Sequence, residues 1–526
     1  MRDRVALTGD LDRDVQALKH LIPADDLQDR RLVLGRGRGP EAALLYIEGL
    51  ADPQVLNRDI LGPLLGGLAG QSEGPAGAAA GAVTAAEAIA RQCTSVSRIQ
   101  ASADPGRLAG ALLDGEAVLL VGGSRTGAAL QAAGGPDRPV EPPGVEASLR
   151  GPRDAFVESL VNNVALVRRR IRDRSLRVRI LRVGRRSRTR VALLYLGDVA
   201  RPELVREVRH RLETIDFDGI LDAHQLAEML GHEGRSPFPR VEKTERPDRT
   251  AAALFEGRVA VLVDVSPFAL LVPVILLDSF QAPDDYYTLP ALTAFVRIVR
   301  LLGWAVVTYL PALYVAVAQY NPDLVRTELT LFMQADRTGI PLTPVVEVIF
   351  LEFTMEMIHE SLIRLPEKVG SAATIVGGLI IGQAAVQARL ISSVVVIVVA
   401  SSAIGSFTFP NAEMGLSWRL VKWLNIGAAA LFGLHGLFIA SLCLLAYLNS
   451  IDSFGAPYLA PISPHLPRDA ARDTLHRMHW GRLRWRGSVF RPTDPDRAPR
   501  SVAQQQGLTP TSAPPGRLGP KGRGSP

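Results

Sequence analysis

Four glutamates interrupt an otherwise apolar stretch, PLTPVVEVIFLEFTMEMIHESLIRLP, at positions 347, 352, 356 and 360. At about 100° per residue the last three share a helical sector of about 80°, with Leu351, Met355, Ile358 and Leu362 on another face. Such carboxylates fit two settings. On an amphipathic helix lying on a membrane they are solvated. On a helix lining an aqueous path they attract cations and repel anions. Under the second reading Glu352 and Glu356, with Gln383 from a later apolar run, are the candidate ion path. Catalytic chemistry has little footing. GRGRGPE and VGGSRTGAAL are rich in glycine but lack a P-loop lysine and a dinucleotide fingerprint, and no G-x-S-x-G, H-E-x-x-H or Cys-x-x-Cys occurs. No catalytic, cofactor-binding or metal-binding residue is expected, and no enzyme. Cys93 and Cys443 lie too far apart in the chain to suggest a disulfide framework.

The elements that must position these glutamates are apolar helices. Residues 301–320, 369–388, 390–409 and 424–448 each reach the roughly 20 residues that cross a hydrocarbon core. Residues 266–280, with Pro267 and Pro273, and residues 341–366 are interfacial, re-entrant or spanning. Together they make an α-helical integral membrane domain over 266–450. Gly378 and Gly382 form a G-x-x-x-G, a candidate for close helix packing. Arg297 and Arg300 precede the first clear span, and residues 451–526 form a basic tail rich in proline and glycine. Basic flanks at both ends place the N- and C-termini in the cytoplasm, which requires an even number of spans, four or six.

Ahead of the membrane domain the sequence alternates strand and helix patterns, an α/β soluble region. ALLYIEGLADPQVL (Ala43–Leu56) matches ALLYLGDVARPELV (Ala192–Val205), and DGEAVLLVGGS (Asp114–Ser124) matches EGRVAVLVDVS (Glu256–Ser266). Two tandem related subdomains are therefore expected, at 31–149 and 150–265, after a flexible arm at 1–30. Net charge is +6, carried almost wholly by arginine beside abundant alanine and glycine, a bias that fits coding composition. Between the copies, residues 168–190 hold twelve arginines and one acid. Arg153, Glu158, Arg168, Arg169 and Arg170 are the candidate inter-subunit or anion contact, with a solvated face near anionic lipid as the other reading. No aromatics interleave there, so nucleic acid is not expected. Residues 236–249, SPFPRVEKTERPDR, read as a linker strap between the two halves. Its prolines restrict the backbone, and Pro239, Glu245, Arg246, Pro247 and Asp248 are the candidate interdomain relay.

Several long stretches resemble the A subunits of spore germinant receptors, the GerA family. They are YIEGLADPQVLNRDIL, RGPRDAFVESLVNNVALVRRRI, IVGGLIIGQAAV and the run from Ser236 to Tyr287, in the expected order over about residues 40–450. The resemblance implies a receptor subunit in the spore inner membrane that helps sense nutrients and trigger germination. It would act with a transporter-like B subunit, where the nutrient pocket usually lies, and a lipoprotein C subunit. It also implies a homo-oligomer in contact with membrane lipid, and either a ligand-gated cation channel or a non-conducting scaffold. Gln387 and Arg389 stand where an acid and a glycine are common in that family, and HESL (359–362) replaces an Arg-Glu-Ala-Gly-like run.

Overall fold

The structure, a computed structural model, describes residues 6–34, 39–66, 85–134, 146, 150–231, 236–364 and 382–497. The N-terminal half contains the same unit twice. The first is α1 (Leu11–Leu21), β1 (Leu27–Val33), β2 (Glu41–Ile47), α2 (Ala85–Cys93), β3 (Ile99–Ser102), α3 (Pro105–Leu113), β4 (Ala117–Val121) and β5 (Gly127–Leu130). The second is α4 (Leu160–Arg170), β6 (Leu176–Val183), β7 (Thr189–Leu196), α5 (Pro202–Thr214), α6 (Ala223–Gly231), β8 (Glu242–Thr244), α7 (Pro247–Phe255), β9 (Val259–Val263) and β10 (Ala269–Val272).

The sheets run β1-β2-β4-β5-β3 and β6-β7-β9-β10-β8, and every pairing in them is antiparallel. The registers correspond as well. Ala43 sits opposite Leu120 in the first sheet, and Ala192 opposite Leu262 in the second, so the sequence repeat is a structural repeat. Successive residues of β2 face opposite sides, as a pleated strand requires. Ala43 and Leu45 pack beneath α1 and α3, while Ala42 and Leu44 pack beneath α2.

Several expectations need correction. Residues 6–30 of the expected arm are not a loose tail. Asp10 caps α1, whose Val15 and Leu18 are buried in the first core, and β1 follows at once. Its mostly polar sequence hid a narrow apolar stripe. The strap at 236–249 is not a linker, because it is edge strand β8 and the start of α7, the second copy of β3 and α3. Pro247 opens α7 as Pro105 opens α3, the helix position where a missing N–H costs nothing. Residues 266–280 are not a membrane segment, since Ala269–Val272 is strand β10 and Leu276–Phe280 a 3-10 turn. A strand buried on both faces is as apolar as a lipid-facing helix, hence the confusion. Residues 451–497, expected as tail, fold back on the second unit, with Arg472 of α13 (Pro467–Asp473) bonded to Glu256 at 3.0 Å.

The remaining helices are α8 (Pro290–Gln319), α9 (Thr327–Asp336), α10 (Pro344–Arg364), α11 (Ser393–Ser406) and α12 (Ala412–Ser450). By length and composition α8 and α12 can cross a membrane. The expected span 301–320 falls in α8, and 390–409 holds the 14-residue α11. Of 369–388, residues 369–381 lie outside the described residues. The expected span 424–448 is not one helix, because α12 turns back on itself at Gly433 (φ 60°, ψ −139°), a backbone that glycine readily takes. Phe238 lies 5.3 Å from Trp418 and 6.4 Å from Tyr447, ring to ring. In a straight helix those two residues would stand roughly 43 Å apart. α10 is no surface helix either. Its Val348 and Leu351 pack in one core with Val315 of α8, Val395 of α11 and Ile426 of α12.

Candidate functional site

Where α10 passes the first arm of α12, two acids at i and i+4 meet two bases at i and i+3, spacings that put each pair on one helix face. Lys422 Nζ donates to Glu352 Oε2 at 2.6 Å and to Glu356 Oε1 at 3.5 Å, and Arg419 lies 3.1 Å from Glu356. Glu352 and Lys422 are 2% and 5% exposed, so both charges are almost wholly out of water. Ser402 of α11 faces Glu352, and Asn425 Nδ2 donates to the Thr308 carbonyl of α8 at 3.0 Å. Polar groups of four helices thus converge halfway along the first arm of α12.

Only two of the three expected path residues meet here. Gln383 is exposed, and neighbouring Gly382 faces Val396. Gly378 lies outside the described residues. Among the described residues Gly382 makes no close helix approach, because an added Cβ would come no nearer than 4.0 Å to Val396. The close approach in this bundle is between Gly303 of α8 and Gly405 of α11, where a Cβ on Gly405 would stand 3.0 Å from the Gly303 carbonyl oxygen. Lys422 and Arg419 were absent from the sequence-derived set because WRLVKWL precedes the uncharged run that defines a span by hydropathy. Their spacing, complementary to that of Glu352 and Glu356, was the available signal.

At one end of the bundle the helices are tied to the soluble units. Arg297 of α8 donates to Asp285 at 3.0 Å and to Asp473 of α13 at 2.7 Å, and Arg300 donates to Asp285 at 2.7 Å. Lys243 of β8 pairs with Glu413 of α12 at 2.5 Å. Trp304 of α8 stands 5.1 Å from Trp418, which carries the Phe238 ring on another side. At the opposite end Tyr320 donates to the Ala430 carbonyl at 2.5 Å beside the Gly433 turn, and Arg337 pairs with buried Glu347 at 2.9 Å.

Of the relay residues, Arg246 and Asp248 meet, within the second unit. Arg246 is fully buried. It donates to Asp248 at 2.8 Å and to the Pro152 carbonyl at 3.1 Å. Asp248 accepts from Tyr287 at 2.7 Å, three residues before α8 begins. The Glu245 carboxylate accepts from the Glu146 backbone at 2.6 Å. Pro239 lines a groove against α12. Around them lies a charged nest. Burial opposes ionisation of Glu242, and the Arg249 and Arg258 guanidiniums overcome it and hold the carboxyl low. Burial pushes Glu146 up to about 7 and Asp278 up to about 6.

The arginine cluster divides. Arg168 is buried and donates to Asp26 of the first unit at 2.7 Å, Arg169 donates to the Gly134 carbonyl at 2.5 Å, and Arg170 pairs with Asp154. Arg168 and Arg169 join the two units of one chain, and Arg170 pairs within the second, which corrects the expectation of an inter-subunit or anion contact for these three. Arg153 and Glu158 are exposed. Gly49 (φ +83°) packs at the same seam, where an added Cβ would lie 2.9 Å from the Val161 carbonyl oxygen.

Residues 16–489 match the family described as Bacillus/Clostridium GerA spore germination protein. The chain is 33% identical over 462 residues to spore germination protein KA of Bacillus subtilis (strain 168), covering 88% of this chain and 83% of that protein. It is 38% identical over 324 residues to spore germination protein A1 of the same organism, covering 62% of this chain and 67% of that protein. Among solved structures it is similar to the N-terminal domain of the A subunit of the Bacillus megaterium spore germinant receptor GerK3. That similarity has 27% identity and a TM-score of 0.38, and it covers 52% of this chain and 99% of the domain.

Proposed function

The chain belongs to the GerA spore germination family, and from that premise we propose that it is the A subunit of a nutrient germinant receptor, a multi-pass protein of the spore inner membrane. A transporter-like B subunit and a lipoprotein C subunit are its partners, and it assembles with copies of itself. The observation that carries its role in signalling is the Glu352–Lys422 pair, because it sits amid the helices that the soluble units grip from one end. A displacement of β8 or of residues 285–287 reaches α8 and α12 directly through Lys243–Glu413, Arg297–Asp285 and Phe238–Trp418.

In this conformation Lys422 and Arg419 neutralise both path carboxylates, so the arrangement is that of a closed lock. In the channel reading, nutrient binding by the complex separates Lys422 from Glu352 and leaves a carboxylate to attract cations. The same ion pairing favours the second reading, a scaffold whose charges only hold helices together. Cation flux into vesicles holding the full chain separates them. The channel reading expects flux from Lys422→Met without nutrient, reduced again in Lys422→Met/Glu352→Gln. Absence of flux from every form, with protein present in the membrane, supports the scaffold. The soluble units and the 451–497 segment pack together, which supports an even number of crossings between them; both termini lie on the cytoplasmic side in this proposal.

A further inference from the structure

A groove of about 740 Å³ opens where the strap leading into β8 overhangs α10 and the first arm of α12. From Glu413 to the turn at Gly433 that arm rises about 30 Å, the thickness of a hydrocarbon core, so Glu413 stands at the membrane boundary. Glu413, Leu416, Leu420 and Trp423 recur at three and four residues and share one helix face, which lines the groove. The groove is therefore polar at its mouth, where Ser236 and Lys243 join Glu413, and apolar deeper, where Phe353 of α10 joins the leucines. Phe353, Leu416 and Leu420 are 59%, 60% and 52% exposed, so this apolar wall is open. It differs from an ordinary lipid-facing helix surface in being roofed by protein. Ser417 donates its hydroxyl to the Pro237 carbonyl, and the Phe238 ring lies 5.3 Å from Trp418, which holds the strap across the helix at the boundary.

The charges of the groove are balanced and reachable. Lys243 meets Glu413 at 2.5 Å, and Arg419 meets Glu356 at 3.1 Å, with all four side chains partly open to the groove. A lone anion would gain one base and face one acid at the mouth, and a lone cation the reverse. The complement is a headgroup that carries one charge of each sign. Its phosphate meets Lys243 while its ammonium meets Glu413, and loosening a partly exposed pair to admit them costs little. Below the headgroup, the apolar wall matches a hydrocarbon chain running toward the membrane centre.

We propose that this groove holds one zwitterionic phospholipid from the leaflet nearest the soluble units, its headgroup at Lys243 and Glu413 and one acyl chain along Leu416, Leu420 and Phe353. Such a lipid touches the strap, α10 and α12 together, so it stiffens the contact through which the second unit grips the bundle. The site requires only that α12 enters the membrane at Glu413. The receptor reading needs no bound lipid, so failure of the site would leave that reading untouched.

The test is native mass spectrometry of the full chain, extracted in mild detergent from vesicles of equal phosphatidylethanolamine and phosphatidylglycerol. Each chain should retain one phosphatidylethanolamine, at least about tenfold in excess of phosphatidylglycerol. Leu420→Trp fills the groove from an exposed position and spares every ion pair. It should lower that retention at least about tenfold, with Leu416→Trp taking its place if Leu420→Trp melts below wild type. Leu431→Trp, equally exposed at the far end of the same arm, should retain the lipid as wild type does. A benzoylphenylalanine photo-cross-linker at position 416 in membranes names the occupant, and a lipid adduct is expected. Retention of neither lipid, equal retention of both, wild-type retention in a folded groove variant, or an adduct with protein, this chain included, would each overturn the proposal.

Discussion

Lys422 of α12 donates to Glu352 of α10 across 2.6 Å at a point where both side chains are almost wholly buried among helices. Taking two ions out of water is costly, and their attraction offsets that cost only while both are present. The pair is therefore a poor choice for stability alone and a good one for a contact that must be made and broken.

A mutant cycle tests this. Glu352→Gln and Lys422→Met alone each leave one charge unmatched and should destabilise the solubilised protein by about 3 kcal/mol or more. The double variant should recover most of that loss, since apolar or neutral pairs often replace buried ion pairs with little change. Melting curves of the four forms give the coupling. Additive losses would mean that the two groups do not depend on one another.

The second prediction concerns the seam between the repeated units. Arg168→Met removes the partner of buried Asp26 and should cost about 3–5 kcal/mol, while Arg153→Met, at an exposed position, should stay within about 0.5 kcal/mol. Chemical denaturation of the full chain measures both. If Arg168→Met left stability unchanged but shifted oligomer size on gel filtration, the inter-subunit reading would return.

Legibility in the sequence followed the length of the signal. The repeat was readable because ALLY and the proline after it recur within equivalent strands and helix starts, and the register pairs Ala43 with Leu120 as it pairs Ala192 with Leu262. α1 was not readable, since three buried side chains in a polar segment look like noise until β2 and β4 are placed above them. The turn at Gly433 hid inside a continuous apolar run, because hydropathy registers burial in lipid and not direction. Glu352 and Glu356 were found from their spacing, while Lys422 and Arg419, which decide what those acids do, required knowing that α10 lies against α12.

The third prediction is a pH dependence outside the membrane helices. Glu146 holds its proton to about 7 in the folded chain, against an ordinary value of 4.5, because burial disfavours the charge. A raised carboxyl pKa means that the folded state binds the proton more tightly than the unfolded one. The stability it contributes is complete below 4.5 and is lost as pH rises through about 7. Asp278, raised to about 6, acts in the same direction. Glu146→Gln keeps an acceptor for the Thr244 hydroxyl and removes the titration. Relative to wild type it should therefore gain stability between pH 5 and pH 8, by about 2–3 kcal/mol. Melting temperatures at the two pH values decide it, and an identical pH slope in both proteins would exclude Glu146 as the titrating group.

The last prediction is topological. The first arm of α12 leaves the soluble units at Glu413, which pairs with Lys243, and turns at Gly433 beside Tyr320, the far end of α8. The second arm returns to Ile451 and Phe454, which pack in the same cores as Phe238 and Val241. Thr338, exposed in the turn between α9 and α10, belongs to the Tyr320 end, since neighbouring Arg337 pairs with Glu347 at the start of α10. Ser95 and His465, both exposed, belong to the opposite end with the soluble units and the folded-back segment. With Cys93 and Cys443 replaced by serine and alanine, single cysteines at 95, 338 and 465 give a direct reading. A membrane-impermeant maleimide added to intact cells that make the full chain should label position 338 and neither of the others, and permeabilised cells should label all three. Labelling of 465 from outside would require an odd number of crossings. It would also separate the C-terminal segment from Glu256 and Arg297, the partners that tie it to the second unit and to α8.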